Sequence, residues 1–108
     1  MALPKLGLSM LHCLGKPFSE MIDRLTKAEV EYVEVVDDGF HALNKRRVSV
    51  LREVGVSRGL RYSVHGPFAD VNIASPSAHI LEATVKRLEQ SIMHIFYFPN
   101  LIVLTCEV

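Results

Sequence analysis

Apolar residues recur along this chain with two alternating periods. Leu6-Gly7-Leu8-Ser9-Met10-Leu11 reads as a short buried strand, followed by a turn from His12 to Lys16. From Pro17 to Val30, Phe18, Ile22, Leu25 and Ala28 fall at helical spacing, with Glu20, Asp23, Arg24 and Lys27 on the other side. Tyr32-Val33-Glu34-Val35-Val36 is β-branched and aromatic, which predicts a second strand closed by the turn Asp37-Asp38-Gly39. Asn44 suits the N-cap of a second helix running from Lys45 to about Ser57, and Gly59 suits its stop. Leu60 to His65 is the third strand, ended by Gly66-Pro67. A third helix follows Ser75, with Pro76 in its first turn and an inward stripe of Leu81, Thr84 or Val85, Leu88, Ile92 and Ile95. Pro99-Asn100 ends it, and Leu101 to Cys106 is the fourth strand.

The predicted order is βαβαβαβ. Nearly continuous apolar strands separated by amphipathic helices predict an α/β parallel sheet covered by helices. Right-handed crossovers place all three helices on one face if the strands lie in sequential order, giving an open arc of a barrel. A doubly wound sheet would instead reverse the strand order somewhere, and periodicity does not decide between the two. An open arc also leaves two strand edges and the apolar residues of its inner face to be covered, which invites dimerisation.

Composition narrows the class. The chain has 108 residues, 49% of them apolar, enough for one folded domain and no more. Twelve Lys and Arg balance twelve Asp and Glu, so no electrostatic search for nucleic acid or anionic lipid is encoded, and nucleic acid is an unlikely partner. No apolar run reaches the roughly 18 residues of a membrane span. The first residues lack the pattern of a secretory signal, and Cys13 and Cys106 lie near opposite ends without CxxC spacing. The expectation is a soluble, cytoplasmic protein.

Chemistry in parallel α/β folds collects at the carboxyl ends of strands. Here those ends carry His12-Cys13, Glu34 with Asp37-Asp38, His65, and Thr105-Cys106-Glu107. A His, a Glu and two Asp at neighbouring strand ends have the donor types for a divalent metal or for acid–base work. Each also has an ordinary reading. His65 suits a hydrogen-bonded structural histidine, Asp37-Asp38-Gly39 a turn, and both cysteines small buried hydrophobes. Glu34, among apolar neighbours, needs a partner or a place at the solvent rim. Neither a phosphate-binding glycine loop nor a GxSxG elbow occurs.

The stretch Ser63-Val64-His65-Gly66-Pro67-Phe68-Ala69-Asp70-Val71-Asn72-Ile73-Ala74-Ser75 resembles the third strand and following loop of the xylose-isomerase-like TIM barrels. That superfamily holds sugar and sugar-phosphate isomerases and epimerases and the endonuclease-IV-type AP endonucleases. Tyr32 to Asp38, with one glutamate among apolar residues, is similar to its second strand, and the helix carrying Lys86 to Ile92 matches in placement. The resemblance implies the amino-terminal half of a (β/α)₈ barrel, residues 1–108 forming one partial domain of four strands and three helices. It implies a divalent metal (Zn, Mn or Mg) in the complete barrel, with His65 as a ligand. It also implies a sugar substrate met by Glu34 directly or through a neighbour, with His12, Asp37 and Asn72 at the rim.

Cys106 stands where the fourth strand of that family ends in His-Pro-Gly, and a thiolate there would be a second metal donor. No catalytic residue is assigned. A complete barrel needs about 250 residues, so the expectation is a fragment without activity alone, its last residues out of character with the family. The other readings are an AP-endonuclease-like fragment, which few Lys and Arg in the strand-end loops disfavour, and a non-catalytic half-barrel that pairs with a second copy or another partner.

Overall fold

In the computed structural model, residues 3–98 and the backbone of 101–105 are described. Four strands form one sheet in the order β1-β2-β3-β4, each parallel to its neighbour. They are β1 (Gly7–Ser9), β2 (Tyr32–Val36), β3 (Arg61–His65) and β4 (Leu101–Thr105). The helices α1 (Phe18–Lys27), α2 (Lys45–Arg58) and α3 (Ala78–Ile95) link them. Sequential order in an all-parallel sheet is the arc of a TIM barrel, and the doubly wound alternative is thereby set aside.

Leu8, Val33, Val35, Tyr62 and Val64 pack one face of the sheet into a core with Met21 and Leu25 of α1 and Val48 and Leu51 of α2. The anticipated caps of α2 are present. Asn44 Oδ1 accepts from Arg47 N at 2.8 Å, and Gly59 at φ 66° closes the helix in the left-handed region. The first strand is shorter than the pattern suggested. Its apolar run beyond Ser9 folds into a 3₁₀ turn, Met10–Cys13, with the Ser9 hydroxyl accepting from Leu11 N. The turn still buries Met10 and Cys13, which is why the run looked like a strand. The first helix ends at Lys27 rather than Val30, and the third starts at Ala78 rather than Pro76.

The third helix carries the largest departure. Of the inward positions predicted for it, Thr84 is fully buried and Ile95 packs against the core, but Ser91 is the other fully buried residue, and Leu81, Val85 and Ile92 remain 37%, 43% and 42% exposed. Two polar contacts set this rotation. Thr84 Oγ1 accepts from Asn72 N, and Arg87 reaches the end of β2. Small side chains are then the fully buried ones, and the apolar stripe turns partly aside. Phe98, beyond the helix, supplies the missing apolar volume by packing edge-on against Tyr62 at 5.1 Å between centroids.

Tyr62 is the largest fully buried side chain. Its hydroxyl donates to the Leu51 carbonyl at 2.7 Å, and burial pushes the phenol far above its usual range. A Cβ on Gly55 would stand 2.7 Å from Tyr62 Cε2, so α2 can lie this close to the sheet only with glycine there. Alanine normally favours a helix interior by up to about 1 kcal/mol over glycine. Here the pinned ring makes overpacking dominate, and Gly55→Ala is expected to lower stability by roughly 1–2 kcal/mol in urea unfolding. Gly15→Ala, with open space around it, is the neutral control.

Candidate functional site at the carboxyl ends of the strands

The strand register decides what the other face of the sheet carries. Ser9 pairs with Glu34 and Glu34 with Ser63, so these three form one row across β1, β2 and β3. Below it lies the row Gly7, Tyr32 and Arg61, and above it Val36 pairs with His65. Across β1, β2 and β3 the described side chains of the inner face are therefore mainly polar, where the sequence pattern predicted apolar ones.

Glu34 is half-buried, and its partner is Ser9, whose hydroxyl donates to Oε1 at 2.6 Å. The same hydroxyl oxygen accepts from Leu11 N at 3.2 Å, so the capping residue of the 3₁₀ turn also holds the glutamate. Together with Gly7, Tyr32, Arg61 and Ser63 these side chains line an open cavity of about 320 Å³.

His65 is 8% exposed. Its Nδ1 lies 2.8 Å from the Gly66 carbonyl, and its ring meets Phe68 edge-on at 5.3 Å. Since a carbonyl only accepts, Nδ1 carries the proton, and in the neutral ring the lone pair lies on Nε2. A backbone-fixed tautomer of this sort is how a metal-binding imidazole is oriented.

Asp37 and Asp38, adjacent in sequence, do different work. Asp37 is fully buried. Arg87 Nη2 donates to its Oδ1 at 2.9 Å and to its carbonyl at 2.8 Å, Arg87 Nη1 reaches Oδ2 at 3.3 Å, and Leu43 N donates to Oδ1 at 2.7 Å. Its own N–H donates to the His65 carbonyl at 2.9 Å. Asp38 Oδ2 accepts from Phe68 N and Ala69 N at 2.8 and 2.7 Å, and Oδ1 from Gly39 N at 2.8 Å. The two carboxylates thus tie the end of β2 to α3 and to the loop after His65.

Burial pushes the Asp38 carboxyl up, but three backbone N–H donors and the Arg87 charge outweigh it and hold the pKa below the ordinary value. Arg87 escaped the sequence reading because a charged helical residue looks solvent-facing. The only hint was a buried-side Asp needing a cation.

The remaining predicted residues sit apart. His12 is exposed in the 3₁₀ turn, its Nδ1 donating to the Ser9 carbonyl at 2.7 Å. Asn72 is exposed and builds its own loop, Oδ1 accepting from Ala74 N. Cys13 is buried, with its thiol donating to the Met10 carbonyl, and desolvation raises its pKa. Cys106 lies outside the described residues. His41 is buried and donates from Nε2 to the Lys16 carbonyl at 2.8 Å, while Nδ1 has no partner among the described residues. Burial pushes its pKa down, the Lys16 carbonyl acts against this, and the Arg47 charge adds to it.

Among the described residues no three His, Cys, Asp or Glu side chains converge to hold a metal ion. His65 has the fixed tautomer of a ligand, but Asp37 is committed to Arg87, and Glu34, held by Ser9 through Oε1 alone, does not converge with His65 and a third donor. These residues do not fit a complete metal centre. No helix among the described residues is long and apolar enough to cross a membrane.

No family model matches the chain. It is 25% identical over 99 residues to an uncharacterized protein of Methanocaldococcus jannaschii, covering 92% of this chain and 34% of that one. The fold superposes on a D-tagatose 3-epimerase-like protein with a TM-score of 0.81 and 24% identity, covering 93% of this chain and 36% of that chain. The chain therefore spans about a third of the length of both. What it shares with the solved structure is the fold, so the partial TIM barrel expected from the sequence is the fold observed.

Two groups give acid unfolding two separate windows. His41, with a lowered folded pKa, loses its contribution to stability as pH falls below the ordinary histidine value of 6.5. Asp38, also lowered, contributes fully above the ordinary 3.8 and loses that contribution as pH falls through its folded pKa. Stability measured against pH is expected to fall in both ranges, with His41→Gln flattening the upper one and Asp38→Asn the lower.

Proposed function

We propose that the chain is the amino-terminal portion of a divalent-metal-dependent sugar or sugar-phosphate isomerase or epimerase, inactive alone and cytoplasmic. The observation that carries this is the set of strand-end and inner-face groups: His65 in a fixed tautomer, and Glu34 oriented by Ser9, on a fold shared with a D-tagatose 3-epimerase-like protein. The residues completing the centre would come from strands beyond the 36% of that fold this chain spans.

Within that reading His65 would be one ligand of the metal, and Glu34 would accept a hydroxyl of the sugar. A metal would polarise a carbonyl oxygen when bound. Asp37 and Arg87 keep His65 in place through the Asp37 N–H on the His65 carbonyl. Asn72 and His12 contribute to the rim through their loops rather than by direct chemistry. The strand-end loops of 10–17, 37–44 and 66–77 include Lys16, Asp37, Asp38 and Asp70, a mixture that suits a neutral or weakly charged ligand better than DNA.

The test is a chimera. This chain replaces the corresponding amino-terminal third of a D-tagatose 3-epimerase-like protein, and interconversion of D-tagatose is assayed with added Zn, Mn or Mg. A folded chimera is expected to turn over, and His65→Ala within it to lose about 10–100-fold in activity or metal affinity. A folded chimera without activity, or one indifferent to His65, would contradict the proposal.

A further inference from the structure

We infer that the row Ser9–Glu34–Ser63 is a recognition site for vicinal hydroxyls of a neutral polyol, with Ser9 acting as a positioning residue for Glu34. The register brings the three side chains side by side on adjacent strands, and the cavity of about 320 Å³ opens over them. That is at the small end of the roughly 300–1,000 Å³ of ligand sites.

The hydrogen-bonding capacity of the row is divided in a particular way. Ser9 accepts from Leu11 N and donates to Glu34 Oε1, which commits its proton. Glu34 Oε1 is thereby held, and among the described residues Oε2 accepts no hydrogen bond. An ionised carboxylate only accepts, so Oε2 selects for a donor. Ser63 is half-buried on the far side of Glu34, and its hydroxyl, which has no partner among the described residues, offers both a proton and lone pairs. An acceptor flanked by a donor–acceptor hydroxyl is complementary to two neighbouring hydroxyls of one molecule, one donating to Glu34 and the next exchanging with Ser63.

Gly7 keeps this cavity open. A Cβ there would stand 3.0 Å from both Tyr32 Cβ and Tyr32 O, so a larger residue would push β1 away from β2 and with it Ser9 from Glu34. Arg61 and Lys5 do not compete for the carboxylate. They gather around the Tyr32 ring, 5.8 and 5.6 Å from its centroid, and Lys5 pairs with Glu31.

The assignment of ligand class rests on the sugar reading above, but its geometry uses neither His65 nor a metal. The experiment therefore runs on the 108-residue chain in chelator, following side-chain and amide NMR signals while D-fructose is added, with cyclohexanol as a one-hydroxyl control. Fructose is expected to shift the signals of Glu34 and Ser63 saturably, and cyclohexanol not to. Glu34→Gln should weaken binding about tenfold or more, because a charged acceptor is lost, and Ser63→Ala about threefold or more. Ser9→Ala should weaken binding severalfold although Ser9 does not touch the sugar, and Ser9→Thr should restore it. Shifts scattered away from the row, equal response to cyclohexanol, or unchanged affinity in Glu34→Gln and Ser63→Ala would overturn the site. Equal losses in Ser9→Ala and Ser9→Thr would overturn the role of Ser9. Failure here leaves the chimera result standing, and failure of the chimera leaves these shifts in place, so the two readings fall separately.

Discussion

One buried ion pair, Asp37 with Arg87, fixes the part of the molecule where chemistry can occur. An Asp taken wholly out of water at the end of a strand demands a cation and further donors, and removing one partner of such a pair typically costs about 3–5 kcal/mol. Arg87 meets that demand from the middle of α3, fifty residues away, and adds a bond to the Asp37 carbonyl. The consequences run in two directions. The pair sets the rotation of α3, burying Thr84 and Ser91, and through the Asp37 N–H on the His65 carbonyl it holds the ends of β2 and β3 level. Asp38 then extends the hold to the loop beyond His65.

That arrangement separates the two faces of the sheet by chemistry. One face is an apolar core in which Tyr62, Gly55 and Phe98 fit too closely for substitution. The other carries Ser9, Glu34 and Ser63 in register, with His65 one layer above. A barrel packs its helix-facing side against the helices and carries function at the carboxyl ends of its strands, and the division between the two faces follows simply from the two-residue repeat of a strand. The apolar stripe left half-exposed on α3 is the counterpart on the outside of the arc, where the polar anchors at Thr84 and Arg87 outweighed the hydrophobic pattern.

Much of the fold was legible in the sequence because it rests on local signals. The alternating periods gave the order of the elements, and Asn44 and Gly59 marked the ends of α2 through caps whose chemistry is local. The setting of α3 was not legible, since it depends on Arg87 finding a carboxylate distant in the chain. Nor was the strand face of Glu34 decided until register aligned it with Ser9 and Ser63. Among the candidate residues, His65 and Glu34 stood out as polar groups at apolar strand ends and lie on the inner face as a pair of layers. Asp37 stood out for the same reason, yet its burial commits it to holding the frame. Ser9, Ser63 and Arg87 gave no signal, because a serine in a strand and an arginine in a helix are ordinary until their partners are known.

The measurement that tests this account most directly is a double-mutant cycle on Asp37 and Arg87. Unfolding free energies of Asp37→Asn, Arg87→Met and the double variant give the coupling between them. A coupling of about 2–3 kcal/mol, with the His65 ring signals displaced in each single variant, is the predicted result. Additivity within about 0.5 kcal/mol, with His65 unmoved, would show that the strand ends are held by something other than this pair.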